Sequence, residues 1–217
     1  MALAFGQMKE DTGGSREKLN EHKPQFGDNR IRIFGGIIPR YIYWVTNAEG
    51  RTMPVECLSW DRDQQRWTNS EKDWVKHYYP DLKSKYGYVM LCVENGELKI
   101  FNPKKTLMDR VIKLAADLGD PTDLDNGWDI CYEKEKTGPQ PMNVKYNIQE
   151  LKCSKAQGPV SDEVRALIEG APDVEEIFAR PTPESQKELL ERMMGKDTEN
   201  VDESDAEEFD DDDFDVS

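Results

Sequence analysis

Residues 86–105 read YGYVMLCVENGELKIFNPKK, and the fold class turns on this stretch. In its first half Tyr86, Tyr88, Met90 and Cys92 alternate with Val89, Leu91 and Val93, the period of two that sends successive side chains to opposite faces of a strand. Asn95 and Gly96 tolerate the positive φ of a type I′ turn, and residues 98–101 return as the partner strand. The reading is a β-hairpin. On the returning strand Leu98 and Ile100 share one face while Lys99 and Phe101 share the other, just ahead of Lys104 and Lys105. A face of tyrosines, a phenylalanine and lysines suits the stacking of bases and the neutralising of phosphates better than it suits a dry core. The plainer alternative is an ordinary antiparallel sheet with tyrosines at its rim.

Upstream, residues 30–34 (RIRIF) alternate, so Ile31 and Ile33 face a core while Arg30 and Arg32 face outward. Gly35-Gly36 bends the chain before IIPRYIYWV, where Tyr41, Tyr43 and Val45 lie opposite Ile42 and Trp44 and Arg40 precedes the first tyrosine. Residues 52–60 read as a further strand whose Pro54 belongs at an edge or bulge. Residues 61–85 are irregular and interleave Arg62, Arg66, Lys72, Lys76, Lys83 and Lys85 with Trp67, Trp74, Tyr78 and Tyr79. A short amphipathic helix over 71–78, packing Trp74 and Tyr78, is compatible with lysines lining a groove. Downstream, Leu107, Val111, Leu114 and Leu118 predict a helix over 106–118, with Thr106 as N-cap and Gly119 as stop. Residues 127–135 and 142–155 read as strands, the second with Lys145 and Tyr146 near its centre. Short helices over 161–169, 173–179 and 182–194 either pack on the sheet or form a mobile connector.

The chain has 217 residues and a formal net charge of −15, but the charge is unevenly placed. Residues 197–217 hold twelve of the 44 acidic residues and none of the 29 basic ones, whereas residues 30–110 carry 14 basic against 10 acidic. A basic body with an acidic tail is the pattern of a protein whose tail repels or mimics nucleic acid. The four cysteines lack any C-x-x-C pairing and read as buried free thiols of a reducing compartment. No signal peptide and no apolar run of membrane-spanning length are visible, so a soluble, cytoplasmic protein is expected. Enzyme readings find little support, with only His22 and His77 and no phosphate-binding, nucleophile-elbow or zinc-protease motif. Asp120, Asp123 and Asp125 could hold a hard cation, although a polar loop accounts for them more simply. An acidic-tailed chaperone or DNA mimic that binds basic proteins is the competing class; it leaves the basic-aromatic face without a role.

About five strands interrupted by one helix after the middle hairpin predict an α+β, mainly β fold, an OB-like five-stranded barrel followed by a C-terminal helical segment and an acidic tail. The serial order of GDNRIRIF, a tyrosine- and tryptophan-bearing strand, KYGYVMLCV, IFNPKKTLMDRVIKL and DPTDLDNGWDICYEKEKTGPQPMNVKYNIQ resembles the bacteriophage single-stranded DNA-binding, or helix-destabilising, proteins of the gene-32 type. The likeness covers roughly residues 28–155 and extends to the tail. It implies sequence-independent binding of single-stranded DNA in phage replication, recombination and repair, inside the infected host cell. Domains are then expected as a flexible or loosely docked arm (1–29), an OB-like core (30–155), short helices or a connector (156–196) and a disordered protein-interaction tail (197–217). Carried over by position, the resemblance assigns DNA contacts to Tyr86, Tyr88, Phe101, Lys104, Lys105, Lys145 and Tyr146. Strand parity adds Arg30, Arg32, Arg40, Tyr41, Tyr43 and Lys99. In the tail, Phe209, Asp210, Asp211, Asp212, Asp213 and Phe214 form an acidic strip with apolar anchors, suited to docking a polymerase, helicase or helicase loader. Two departures from the family matter. Residues 61–85 contain no cysteine and a single histidine, too few ligands for a structural zinc, so no metal and no other cofactor is expected. The N-terminal arm is not basic, which removes the feature that drives cooperative binding in the family.

Overall fold

The structure, a computed structural model, describes residues 19–140 and 143–195; the acidic tail and most of the expected arm lie outside these residues. Its organising element is β1 (Gly27–Thr46), a single strand of 20 residues. Its start pairs with β7 (Ile130–Lys136), its middle with β5 (Lys85–Glu94) and its end with β2 (Thr52–Glu56), all antiparallel. Gly35 and Gly36, expected to bend the chain, do so within one continuous strand. They form a bulge, with the register shifting between Phe34 and Ile37 and Gly35 at φ 69°. The hairpin of β5 and β6 (Glu97–Phe101) closes through Asn95 (φ 52°) and Gly96 (φ 79°), as the sequence predicts. With β8 (Val144–Ile148) the sheet runs β6-β5-β1-β7-β8, and β2 pairs alongside the last residues of β1, from Ile42 to Thr46. A separate two-stranded ribbon joins β3 (Trp60–Asp61) to β4 (Arg66–Trp67). The architecture is α+β and compatible with a barrel-like fold; among the described residues no strand pairing joins β6 to β8.

Six helices accompany the strands among the described residues: α1 (Trp74–Tyr78), α2 (Lys105–Leu118), α3 (Glu150–Lys155), α4 (Asp162–Glu169), α5 (Val174–Ile177) and α6 (Pro183–Met193). Lys104 stands at the N-cap of α2, so Thr106, the expected cap, lies inside the first turn. The strand expected over 142–155 is divided. Gln149 donates its backbone N–H to the Cys131 carbonyl, after which α3 turns Cys153 inward against Cys131.

Helices cover both faces of the sheet. On one face Ile31, Ile33, Met90, Cys92 and Phe101 pack under Leu107, Met108 and Val111 of α2. Further along that face, Tyr43, Val45, Val55 and Cys57 pack under Val75 of α1 and Leu190 and Met193 of α6. On the opposite face Phe34, Ile38, Val89, Leu91 and Val93 meet Val174 of α5, with Val164 and Ile168 of α4 beside them. Two-sided burial explains the unbroken apolar run from Val89 to Val93. Residues 156–195 are packed along their length. Gly158 and Val160 bond Gly127 and Leu124 through the backbone, and the Gln186 amide bridges Glu56 and Trp74.

Residues 19–26, expected within a flexible or loosely docked arm, are held. The His22 N–H donates to the Ile100 carbonyl at 2.7 Å and the Ile100 N–H to the Asn20 carbonyl at 2.9 Å, a parallel bridge along β6. His22 is buried, its Nε2 bonded to the Tyr132 hydroxyl and its Nδ1 3.0 Å from Glu94. Composition alone hid this anchor, because a single buried histidine leaves no periodic signal. All four cysteines are free and buried.

Candidate nucleic-acid interface

Between the roof formed by α2 and that formed by α1 and α6, one sheet face is left partly open. β1 and β5 bring Tyr41 opposite Tyr86 in register, and Tyr88 follows two residues on along β5. The hairpin of β3 and β4 lays Trp60 and Trp67 against them. Ring centroids lie 5.1 Å apart for Tyr41–Trp60, 4.8 Å for Tyr41–Trp67, 5.0 Å for Tyr41–Tyr86 and 5.1 Å for Tyr86–Tyr88. Most of these contacts are edge-on or tilted, so the rings support one another while faces remain for a ligand. Trp67 is 48% exposed and Trp60 is buried beneath the row. Burial, then the hydrogen bond with Tyr88, pushes the Tyr86 hydroxyl up to about 12, so it stays protonated and adds no negative charge near neutral pH.

Cations rim the row. Lys76 of α1 places its Nζ 5.4 Å from the Trp67 ring centre. Lys105, at the start of α2, is exposed, paired with Asp109 at 2.6 Å, and has Tyr88 and Tyr41 among its neighbours. Lys104 lies 5.3 Å from the Tyr146 ring centre.

Of the residues expected in the site, Tyr41, Tyr86 and Tyr88 form the row and Lys105 borders it. Phe101 does share their face, opposite Met90, but it is buried under α2 with 2% exposure and cannot stack a base. Tyr43 is likewise closed off by α1 and α6, bonding the Asp73 carboxylate, and Tyr146 is buried beside Tyr132. Arg32 is buried, donating to Asp129, the Asp123 carbonyl and the Gly158 carbonyl, so it is a structural tie. Arg30 is exposed but donates to Asp129 at 2.6 Å. Arg40 lies on the other face of β1, over the Phe178 ring at 4.9 Å. Lys99 is shared between Glu94 and Glu97, and exposed Lys145 alternates to the face opposite Tyr146. The tail residues Phe209, Asp210, Asp211, Asp212, Asp213 and Phe214 lie outside the described residues.

Trp60, Trp67 and Lys76 are the members that sequence reasoning did not place. The interleaved aromatic and basic residues of 61–85 were the available signal for Trp67 and Lys76, whereas Trp60 lies at the end of the expected 52–60 strand. Among the described residues no group of three or more His, Cys, Asp or Glu is arranged to hold a metal ion. The aspartates after α2 serve the loop: Asp123 accepts from the backbone of Asp125 and Asn126, and Asp120 from Thr122.

No family model matches the chain. It is similar, at 29% identity over 232 aligned positions, to the probable ssDNA-binding protein of Escherichia phage T5. The alignment covers 89% of this chain and 87% of that protein. The expected resemblance to a phage single-stranded DNA-binding protein is found. The likeness spans nearly the whole of both chains, beyond the residues 28–155 on which the sequence reading rested. No helix among the described residues is long and apolar enough to cross a membrane.

Proposed function

We propose that this protein binds single-stranded DNA with little sequence preference across the row Tyr88, Tyr86, Tyr41 and Trp67, on an OB-type scaffold. Its work is to coat and protect single strands during phage replication, recombination and repair in the host cytoplasm, without enzymatic activity of its own. The observation that carries the reading is the row itself: partly exposed rings on one sheet face, bordered by Lys76 and Lys105. Every base offers a π-face, so such a row tolerates any sequence, and lysines at its margin meet the phosphates. The similarity to a probable ssDNA-binding protein supports the same reading. The acidic tail then competes with DNA for these lysines and, once displaced, offers Phe209 and Phe214 to replication partners.

Titration of intrinsic tryptophan fluorescence with oligodeoxynucleotides of several lengths and compositions tests the proposal. Quenching that saturates, varies little with sequence and is much weaker for duplex is expected. Equal affinity for duplex, or no binding at low salt, would refute it.

A further inference from the structure

The hairpin of β3 and β4 has two residues in each strand, too short to hold its own geometry, and it stands outside the main sheet. Even so, it supplies Trp67 to the row and Trp60 as the support beneath it. What fixes its base is a side chain from the far end of the chain. Arg180, between α5 and α6, donates through Nη1 to the Trp60 carbonyl at 3.0 Å and through Nη2 to the Leu58 carbonyl at 3.1 Å. Glu71, at 3.2 Å, and Glu56, at 3.9 Å, hold the guanidinium from the other side. The tie is reciprocal, since Arg62 of the hairpin loop donates to the Phe178 carbonyl at 2.9 Å, two residues before Arg180. Pro181 and Pro183 follow immediately and restrict Arg180 and Thr182 to extended backbone, so the segment arrives already shaped.

We infer that Arg180 is a positioning residue for the aromatic row, and that the segment 178–183 sets the pose of Trp60 and Trp67 for single-stranded DNA without touching it. The inference rests on the single-stranded DNA reading. A planar guanidinium can bridge two carbonyls at once, whereas a lysine ammonium is a point donor on a flexible stem and holds this fork poorly. Because both ends of the Arg180 group are engaged by carbonyls and carboxylates, its removal takes no cation away from the phosphates.

The test is a double-mutant cycle on the full chain, with Arg180→Ala and Arg180→Lys each combined with Trp67→Ala, read by affinity for oligo(dT) across a salt series. Both Arg180 variants are expected to bind about tenfold more weakly than wild type with an unchanged salt slope, and to add little once Trp67 is gone. If Arg180→Ala does not fold, Arg180→Lys carries the cycle. Costs that simply add, or a salt slope that falls by roughly 0.7, the share of one phosphate, overturn the inference. Wild-type protein that fails to bind the oligonucleotide overturns the DNA reading itself, whereas a binding wild type with an additive cycle overturns only the role of Arg180.

Discussion

Phe101 and Trp67 show how far a single residue can be read. Alternation correctly placed Phe101 on the face of Tyr86 and Tyr88, opposite Met90, yet depth along a face depends on where α2 crosses it, and strand period is silent on that. Phe101→Ala should therefore destabilise the fold by about 3–5 kcal/mol, seen as a lower denaturation midpoint, with little change in DNA affinity while the protein remains folded. Trp67 is the converse case. Trp67→Ala should leave the midpoint nearly unchanged and weaken single-strand binding by about 1–3 kcal/mol. A variant that is less stable but binds normally would remove Trp67 from the interface. Trp67 escaped the sequence reading because its hairpin turn carries its positive φ on Gln65 (φ 49°) in place of the glycine or asparagine that announces such turns.

At the scale of elements, the β5–β6 hairpin and the helices α2, α4 and α6 were legible because turn chemistry and 3.6-residue spacing are local. The docking of residues 19–26 was not, since it depends on Ile100, Glu94 and Tyr132, far along the chain. That docking should be sensitive to acid. Burial raises the Glu94 carboxyl, but hydrogen bonds from His22 and Lys99 outweigh it and leave the group below the usual carboxylate range. A carboxylate held low stabilises the fold fully above its unfolded pKa and loses that contribution as pH falls through its folded one. Amide exchange at His22 and Ile100 should accordingly accelerate relative to the core below about pH 4.5, and Glu94→Gln should abolish that extra acceleration. Exchange at both amides that tracks the core at every pH would separate Glu94 from the docking. The start of α2 is a second element with a separable role. Replacing Lys104 and Lys105 together by Ala should lower the slope of log K against log salt by roughly 0.7 for each phosphate left without its lysine. An unchanged slope would place the DNA path elsewhere.

For the whole molecule, the tail and the aromatic row are linked through α6. Met193 and Met194 belong to the apolar cluster that also receives Tyr41 and Tyr86, so the described residues end, at Gly195, close to the aromatic row. In the proposed function, the twelve carboxylates of residues 197–217 compete with DNA for Lys76, Lys105 and their neighbours. Truncation after Lys196 should tighten oligonucleotide binding at low salt. The gain should shrink as ionic strength brings the screening length to about 8 Å. Equal affinities of full-length and truncated protein at low salt would leave the tail without this role.

β1 is made early and completed late. Its start pairs with β7, roughly a hundred residues downstream, and the Gln186 bond to Glu56 spans 130 residues. At about 5–20 residues per second of synthesis, Ile31 waits on the order of 5–20 seconds for its partner Ile130 to be made. The pairings that complete the sheet are therefore non-local, which slows folding and leaves the emerging chain dependent on whatever shields its apolar strands. The β5–β6 hairpin can form on the ribosome, whereas the pairing of β1 with β7 must wait until Ile130 to Lys134 have been translated. Ribosome-stalled chains ending before residue 130 should be protease-sensitive throughout β1, and protection there at that length would show a folding unit smaller than the sheet.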